Sequence, residues 1–272
     1  MPELPSTPIP GPLVPARFLQ RLNRFLLRVR LEGSGEEVEV HMADPGRMKE
    51  LLVPERHLWL RPASNPARKT PYSAVLAESP EGEELISLDT TLPNRLVQKA
   101  LEVGALVELE GWKLERAEVP MGRSRLDFLL ARVGGEDREP GGAPEQRGAG
   151  RDRVGEPLAG ESVPARKMAL EVKSVSLVEE GVALFPDAVT ARGARHVQEL
   201  AEIARRPGWE AGVLFVLQRS GAREIRAARS IDPAFARALE EAREAGVRIL
   251  GRRCQVHTDR VELADRVPAG VG

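Results

Sequence analysis

The sequence predicts a two-domain protein of mixed α+β and α/β class, with a small β-barrel followed by an α/β domain built on a mixed sheet. Short strand-like segments separated by turn residues fill the first 85 positions, whereas helical patterns alternate with strands after them. The chain has 272 residues, 42% of them hydrophobic and 30% charged, so it is long enough for two cores and has the composition of a globular protein.

The barrel is predicted over residues 15–85. It opens with a hairpin whose turn is Gly33-Ser34-Gly35, since glycines favour a reversal between two strand patterns. Several short strands within about 70 residues suit a small closed barrel. The predicted strands are Phe25–Leu31, Glu37–His41, His57–Pro62 and Tyr72–Glu78, with one helical turn at Met48–Leu52.

The α/β domain is predicted over residues 86–262. Its pattern is a helix, three consecutive strands, a helix, a strand, a helix and a last strand. Hairpins connect the first strands and helical crossovers bring the last ones, which gives a mixed sheet. The predicted helices are Pro93–Val103, Asp187–Arg205 and Pro233–Ala245; the predicted strands are Lys113–Val119, Ser124–Arg132, Lys167–Leu177, Ala211–Leu217 and Val247–Arg252.

Three segments show neither pattern. Residues 134–166 are rich in Gly, Pro, Glu and Arg and contain no aromatic residue, so we predict a disordered insertion that cannot bury enough apolar area to fold. Residues 1–14 carry five prolines and are predicted to form an extended, exposed tail. Residues 263–272 are predicted to form a second tail.

Composition restricts the compartment and the kind of partner. The only cysteine, Cys254, permits no internal disulfide and is expected to lie buried in a strand, which favours a reducing cytoplasm. The longest apolar run, Ala211–Leu217, is too short to span a bilayer, so no membrane segment is expected. The net charge of −1 argues against a binding mode that relies on overall charge, but it leaves room for a local basic patch.

Two short segments carry the candidate chemistry. Asp127 lies between Leu126 and Phe128 in one predicted strand, and Glu171 and Lys173 share a face of the next strand because alternate side chains project together. Two neighbouring carboxylates repel each other unless a cation lies between them, and hard oxygen ligands suit Mg²⁺ or Mn²⁺. An Asp followed by Glu-x-Lys on the next strand resembles the PD-(D/E)XK nuclease-like fold. An ordinary surface ion-pair cluster with Lys173 and Arg125 is the alternative.

Further motifs accompany this pattern along the chain. They are Asn23-Arg24-Phe25, Pro45-Gly46-Arg47-Met48, Arg68-Lys69-Thr70, Glu118 ahead of Gly122 to Phe128, and Phe185-Pro186-Asp187-Ala188-Val189-Thr190 followed by Arg192, Gly193 and His196. Together they resemble the sugar fermentation stimulation protein (SfsA) family from about residue 13 to about residue 256. The resemblance implies an N-terminal OB-like barrel, a nuclease-like α/β domain, DNA as the partner and a link to sugar metabolism, especially that of maltose. It implies no settled catalytic activity.

The resemblance assigns roles to the first set of residues. Asp127 and Glu171 are the expected ligands of Mg²⁺ or Mn²⁺, with the backbone carbonyl of Val172 as a third. Lys173 is the expected catalytic lysine. Glu118 is expected to hold water at the metal or to accept a proton, and a solvated strand end is the alternative. Gln218 is considered as a polar helper at the end of its strand.

A second set is expected to contact DNA. Its members are basic or aromatic residues, or lie on the polar face of the helix after Asp187, where Glu199 also lies; a merely solvated surface is the competing interpretation. The expected contacts are Arg24, Phe25, Arg47, Arg68, Lys69, Arg125, Arg192 and His196. His196 is also considered, less favourably, as a catalytic base.

The sequence therefore supports a DNA-binding protein, largely indifferent to base sequence, with a candidate metal-dependent deoxyribonuclease site. The alternative is a non-catalytic transcriptional regulator of sugar (maltose) metabolism genes. A small-ligand sensor is a third interpretation, but no nucleotide-binding loop supports it. The sequence gives no indication of oligomeric state.

Overall fold

A computed structural model describes residues 4–44, 46–65, 67–121, 124–133 and 166–272. They form two domains joined by a short connection. The first domain contains β2 (Val14–Asn23), β3 (Leu26–Leu31), β4 (Glu37–Met42), β5 (His57–Pro62), β6 (Tyr72–Glu78) and β7 (Leu85–Ser87). The second contains β1 (Ser6–Pro8), α1 (Leu92–Glu102), β8 (Trp112–Met121), β9 (Ser124–Arg132), β10 (Lys167–Val175), β11 (Val178–Glu179), β12 (Val182–Phe185), α2 (Ala191–Ala204), β13 (Trp209–Leu217), β14 (Glu224–Ala227), α3 (Pro233–Glu244), β15 (Arg248–Val256), β16 (Arg260–Arg266) and β17 (Ala269–Gly270).

The first domain is a closed five-stranded barrel. Its strands follow the order β4-β3-β2-β5-β6, and β4 pairs with β6 in parallel to close the cylinder. Met48 and Leu51, on the predicted helical turn, are fully buried and plug one end of the barrel core. The predicted barrel is confirmed. Its longest strand, β2, was not predicted, because bulges near Phe18 and Arg21 interrupt its alternating pattern.

The second domain is a three-layer arrangement around a seven-stranded mixed sheet of order β1-β16-β15-β13-β10-β9-β8. The central strands β10, β13 and β15 are parallel, and the outer pairs are antiparallel. Helix α1 covers one face of the sheet, while α2 and α3 cover the other. Cys254 lies fully buried in β15, as expected. The predicted mixed α/β architecture is confirmed.

Helix α2 begins at Ala191, four residues later than predicted. The Thr190 hydroxyl accepts a hydrogen bond from the Gly193 amide at 3.0 Å and caps the first turn. Asp232 caps α3 through the Phe235 amide and also accepts from the Thr190 amide at 2.7 Å. One buried aspartate therefore fixes the starting points of both helices on this face.

The predicted tails are wrong. Ser6–Pro8 pairs with β16 at the edge of the large sheet, and Thr7 is buried. At the other end, β17 pairs with β14 in a small four-stranded sheet with β11 and β12. These strands are two to four residues long, too short to show an alternating pattern. Of the predicted insertion, residues 134–165 lie outside the described residues.

The two domains are held together by hydrogen bonds around Glu84. Its carboxylate accepts from the Arg219 guanidinium at 2.6 Å and from the amides of Ser220 and Gly221 at 2.8 and 3.0 Å. Arg219 is only 3% exposed. The side-chain amide of Gln218 donates to the Asp89 carbonyl at 2.8 Å. The main-chain carbonyl of Gln218 accepts from the Ser87 amide. The angle between the barrel and the α/β domain is thus fixed by buried polar contacts.

No helix in the described part of the chain combines the length and apolar character needed to cross a membrane.

Candidate metal and nucleic-acid site

Asp127 and Glu171 lie where the ladder between β9 and β10 ends. The last registered pair is Leu170 with Phe128. Beyond it the Val172 amide donates to Oδ2 of Asp127 at 2.7 Å instead of to a backbone carbonyl. In an extended strand the N–H and C=O of one residue face the same side, so the Val172 carbonyl also faces the gap between the two strands. The structure therefore brings the predicted acids and the predicted carbonyl to one place.

Asn94 at the start of α1 is a member of the site that the sequence analysis missed. Its side-chain amide donates to Oδ1 of Asp127 at 2.7 Å. Both oxygens of Asp127 are thus oriented by donors from different elements. Burial, followed by the nearby charge of Glu171, raises the pKa of Asp127 above its ordinary value. A cation at this place would relieve the repulsion between Glu171 and Asp127 that contributes to the raised pKa.

Glu171 is 4% exposed and its two oxygens have different surroundings. Oε1 accepts from Lys173 Nζ at 2.6 Å and lies 2.5 Å from His196 Nδ1. Oε2 is buried without a hydrogen-bond partner in the described residues. Burial raises the pKa of Glu171, but the hydrogen bond from His196 and the charge of Lys173 outweigh it, so the pKa lies below its ordinary value. Glu171 is therefore ionised, with one oxygen still unused.

His196 lies on α2 with its ring 6% exposed. Its Nε2 accepts from Arg192 Nε at 3.4 Å, so Nδ1 carries the proton that faces Glu171. The sequence analysis placed His196 on a polar helix face. The structure buries His196 against Glu171 of β10 and so removes it from the predicted DNA contacts, whereas Arg192 on the same face stays exposed.

The residues at this site fit a hard divalent cation. Asp127, the free oxygen of Glu171 and the Val172 carbonyl are all oxygen donors, and Mg²⁺ commonly binds one or two carboxylates while keeping several waters. In the described segments no three His, Cys, Asp or Glu side chains converge on one point as a closed metal cage would require. The arrangement is typical of an open site rather than of a structural metal.

Glu118 lies apart from these acids. Its φ of 52° is unusual for a residue other than glycine and turns the backbone of β8 opposite Asp127. The exposed side chain pairs with Arg125 at 2.9 Å. In the described parts of the chain neither partner has a hydrogen bond to Asp127, Glu171 or Lys173. The structure thus groups Glu118 with Arg125 and not with the candidate metal ligands.

A cleft of about 660 Å³ lies between the two domains and reaches Val172 and Lys173, next to the candidate acids. The barrel contributes Arg24, Asp44 and Gly46 to its walls, and the α/β domain contributes Lys173 and Arg192. A hollow of about 320 Å³, lined by Arg21, Arg24, Gly46, Arg47, Ala188 and Val189, shares several of these residues and continues the cleft. Of the predicted DNA contacts, the structure gathers Arg24, Arg47 and Arg192 along one path to Lys173.

The remaining predicted residues on the barrel are near its exposed aromatic pair. Phe25 is 45% exposed and stacks on His41, with ring centroids 6.5 Å apart and planes 13° from parallel. Burial and the nearby charge of Arg68 lower the pKa of His41. Arg68 is hydrogen-bonded to the Ser73 hydroxyl at 3.0 Å, whereas Lys69 is exposed. Glu199 pairs with Arg195 on α2, and Gln218 is part of the domain junction.

A second group of acids occurs at the domain boundary and was not predicted. A Cβ atom on Gly46 would collide with the carboxylate of Asp187 and would lie 2.9 Å from Oδ1 of Asp44, so a larger residue would force these acidic side chains to move. Burial, together with the charge of Asp187, raises the pKa of Asp44 to about 6. Glu50 also has a raised pKa, mainly because it is buried. Arg21 is the neighbouring cation, and it donates to the Gly46 and Arg47 carbonyls at 2.6 and 2.8 Å.

Two family models match the two domains. A model described as the SfsA N-terminal OB domain matches residues 19–88, and one described as the sugar fermentation stimulation protein RE domain matches residues 144–260. The first match confirms that the barrel is OB-like.

Curated relatives match almost the whole chain. The sugar fermentation stimulation protein homolog of Shouchella clausii is 38% identical over 260 residues, which cover 96% of this chain and 98% of the relative. The homolog of Moorella thermoacetica is 39% identical over 256 residues, covering 94% and 95%. A solved structure of Pyrococcus furiosus SfsA in complex with Ca²⁺ has a TM-score of 0.75 and 26% identity, and the likeness covers 96% of this chain and 97% of that one.

Proposed function

Because the chain belongs to the sugar fermentation stimulation protein family, we propose that it binds DNA in the cleft between its domains and cleaves it with a divalent metal at Asp127 and Glu171. Contacts are made mainly to phosphates, so binding is largely indifferent to base sequence. The described residues contain no helix exposed in the manner of a recognition helix: α1, α2 and α3 each pack on the central sheet.

One observation carries the proposal. Glu171 Oε2 is a buried, ionised oxygen that receives no hydrogen bond from any described residue, and the charge of the same carboxylate helps to raise the pKa of Asp127. A buried charge that is only half satisfied is costly unless something else compensates it. A bound cation in contact with both carboxylates would supply that compensation at the end of a cleft lined by Arg24, Arg192 and Lys173.

Each protein group has a separate task in this proposal. When bound, Mg²⁺ or Mn²⁺ supplies Lewis-acid polarisation of the phosphodiester and lowers the pKa of bound water. Asn94 and the Val172 amide hold Asp127 in one orientation. Lys173 and His196 fix Oε1 of Glu171, which leaves Oε2 for the cation. Lys173 is partly exposed in the cleft, where its ammonium group can also reach a phosphate oxygen.

The related Pyrococcus protein was solved with Ca²⁺. Ca²⁺ also prefers oxygen ligands, so a site in this family for a hard cation supports the metal part of the proposal.

The second candidate is a non-catalytic DNA-binding regulator of sugar metabolism genes. The observation that favours it is the double compensation of Glu171 by Lys173 and His196, which keeps the carboxylate in place without a metal. In that case the cleft holds DNA and the acids only support the fold.

The deciding experiment compares the wild type with Asp127→Asn, Glu171→Gln and the double variant, using Glu102→Gln on the exposed end of α1 as a control. Calorimetric titration with Mn²⁺ should show one site in the wild type and the control and none in the double variant. Purified protein is then incubated with Mg²⁺ or Mn²⁺ and single-stranded, duplex and branched DNA. Cleavage that requires both acids supports the nuclease, whereas binding without cleavage favours the regulator. Equal Mn²⁺ binding by the wild type and the double variant would refute the site.

A further inference from the structure

The barrel carries an aromatic surface formed by Phe25 and His41, and Arg24, the residue before Phe25, lines the cleft. Phe25, in the turn between β2 and β3, is fixed by two backbone hydrogen bonds: its amide donates to Asn23 Oδ1 at 2.9 Å, and its carbonyl accepts from the Met42 amide at 3.0 Å. Its ring stacks on His41, and the lowered pKa of His41 keeps that ring uncharged near neutral pH. The pair is rigid, yet the outer ring remains exposed. A large apolar ring held in this way is suited to receive another flat ring.

Basic side chains connect this surface to the acids. Arg21 donates to the backbone carbonyls of Arg24, Gly46 and Arg47 at 2.7, 2.6 and 2.8 Å. These bonds hold two loops of the barrel side by side, so that the side chains of Arg24 and Arg47 line the same hollow. Arg24, the residue next to Phe25, also lines the cleft that contains Lys173. The arginines therefore lie along a path to Lys173, and the aromatic ring follows Arg24 directly in the chain.

The cleft determines how much of a nucleic acid can bind beyond these arginines. The barrel loop that contains Asp44 and Gly46 and the segment from Phe185 to Thr190 both line the cleft, and they meet where Gly46 lies against Asp187. Its volume of about 660 Å³ accommodates a few linked groups of one strand.

We propose that the substrate is single-stranded DNA, either free or as an unpaired end or flap, with one base stacked on Phe25 and the adjoining phosphates held by Arg24 and Arg47 on the way to Lys173. This inference rests on the proposed function and specifies its substrate class. Stacking on an aromatic side chain needs an unpaired base and tolerates any sequence, because every base has a π-face.

The test uses binding in Ca²⁺ and fluorescein-labelled oligothymidine, compared with a duplex of the same length. The wild type should bind the single strand at least 10-fold more tightly than the duplex. Phe25→Ala should weaken single-strand binding about 5- to 100-fold, the range expected for the loss of one stacked base. Phe25→Trp should retain the affinity, and Val103→Ala, at an exposed apolar residue beyond α1, should change nothing.

A second measurement reports stacking itself. An oligonucleotide with 2-aminopurine at successive positions should show fluorescence quenching at one position on binding to the wild type and Phe25→Trp, but not to Phe25→Ala. Melting curves establish that all variants fold. Duplex binding as tight as single-strand binding, or an unchanged affinity of Phe25→Ala for the single strand, would overturn the inference. The Mn²⁺ titration of the acid variants is independent of Phe25, so the metal site can fail or survive separately.

Discussion

The side-chain amide of Asn94 donates to Oδ1 of Asp127 across 2.7 Å and so ties the first turn of α1 to the acid at the end of the β9–β10 ladder. Residues that orient a metal ligand typically contribute 10- to 100-fold to metal affinity. We expect Asn94→Ala to weaken Mn²⁺ binding by roughly 10-fold in calorimetric titration. Gln98→Ala, at an exposed residue one turn along α1, is the matched control. Equal Mn²⁺ affinity in Asn94→Ala would show that Asp127 needs no orienting partner.

Replacing Lys173 should distinguish metal binding from DNA cleavage. Its removal takes a positive charge and a hydrogen bond away from Glu171, which leaves more negative charge for a cation. Lys173→Gln should therefore bind Mn²⁺ at least as tightly as the wild type while losing DNA cleavage. Lys167→Gln, at the start of the same strand, should leave both Mn²⁺ binding and DNA cleavage at the wild-type level. A variant at Lys173 that cleaves at the wild-type rate would restrict this lysine to a structural role.

Protonation of Asp44 should stabilise the folded protein in mild acid. Its folded pKa of about 6 lies above the ordinary 3.8, so the folded state holds this proton more tightly than the unfolded state does. The resulting stabilisation is full below about pH 4 and is lost as the pH rises through 6, with a change of about 3 kcal/mol at most. The neighbours are Asp187, Glu50 and Arg21.

Asp44→Asn retains an oxygen for the Gly46 amide and removes the titration. Urea unfolding at several pH values should give a free energy for this variant that exceeds the wild-type value at pH 7.5 and approaches or falls below it at pH 4. The pKa of Glu50 is also raised, but Glu50 is present in both proteins. Subtracting the wild-type free energy of unfolding from that of the variant at each pH therefore removes its contribution. A difference that does not vary with pH would exclude Asp44 as the titrating group.

Glu84 should be the most sensitive single residue of the domain junction. Without its carboxylate, the buried Arg219 keeps the exposed Glu81 as its one ionic partner among the residues that the structure describes. Removing one member of a buried ion pair commonly costs 3–5 kcal/mol, so Glu84→Ala should lower the free energy of unfolding by roughly 3 kcal/mol. Glu83→Ala, at the exposed neighbouring position, should stay within about 0.5 kcal/mol of the wild type. Chemical denaturation measures both; similar values would mean that the junction contributes little.

Binding through phosphates predicts a dependence on salt. For single strands the slope of log affinity against log salt is about −0.7 for each phosphate contact. Replacing Arg24 and Arg47 together by alanine should reduce the slope by roughly 1.4 and weaken all sequences alike. Arg237→Ala with Arg243→Ala on α3 removes the same charge at exposed positions outside the cleft. The proposed path would be contradicted if both double variants had the same slope.

The sequence predicted the elements whose pattern is local. His57–Pro62, Tyr72–Glu78 and Ser124–Arg132 have the same bounds in the structure, because alternating side chains and flanking turn residues identify a half-buried strand. The pairing of Asp127 with Glu171 was also predictable, since acids in adjacent strands of a hairpin-connected sheet come close together. The roles of these residues stay predictions.

What the sequence did not predict depends on contacts between distant residues. Asn94 is an ordinary polar residue on a helix, and only the packing of α1 against β9 brings it to Asp127. Val189 lies within the helix predicted for Asp187–Arg205, but Thr190 caps α2 after it, and Val189 is 71% exposed. Glu118 departs from the site because a positive φ redirects it, and no residue type signals that angle at a position without glycine.

The pairing of Ser6–Pro8 with β16 has a consequence for synthesis on the ribosome. The barrel emerges complete while β1, which precedes it, has no partner until Arg260–Arg266 has been made. Strand β1 therefore remains unpaired during most of translation. The prolines at positions 5 and 8 have no N–H group to donate to another strand. The prolines that suggest a loose tail in the sequence thus protect β1 from pairing with another chain before β16, the last strand of the large sheet to be synthesised, is available.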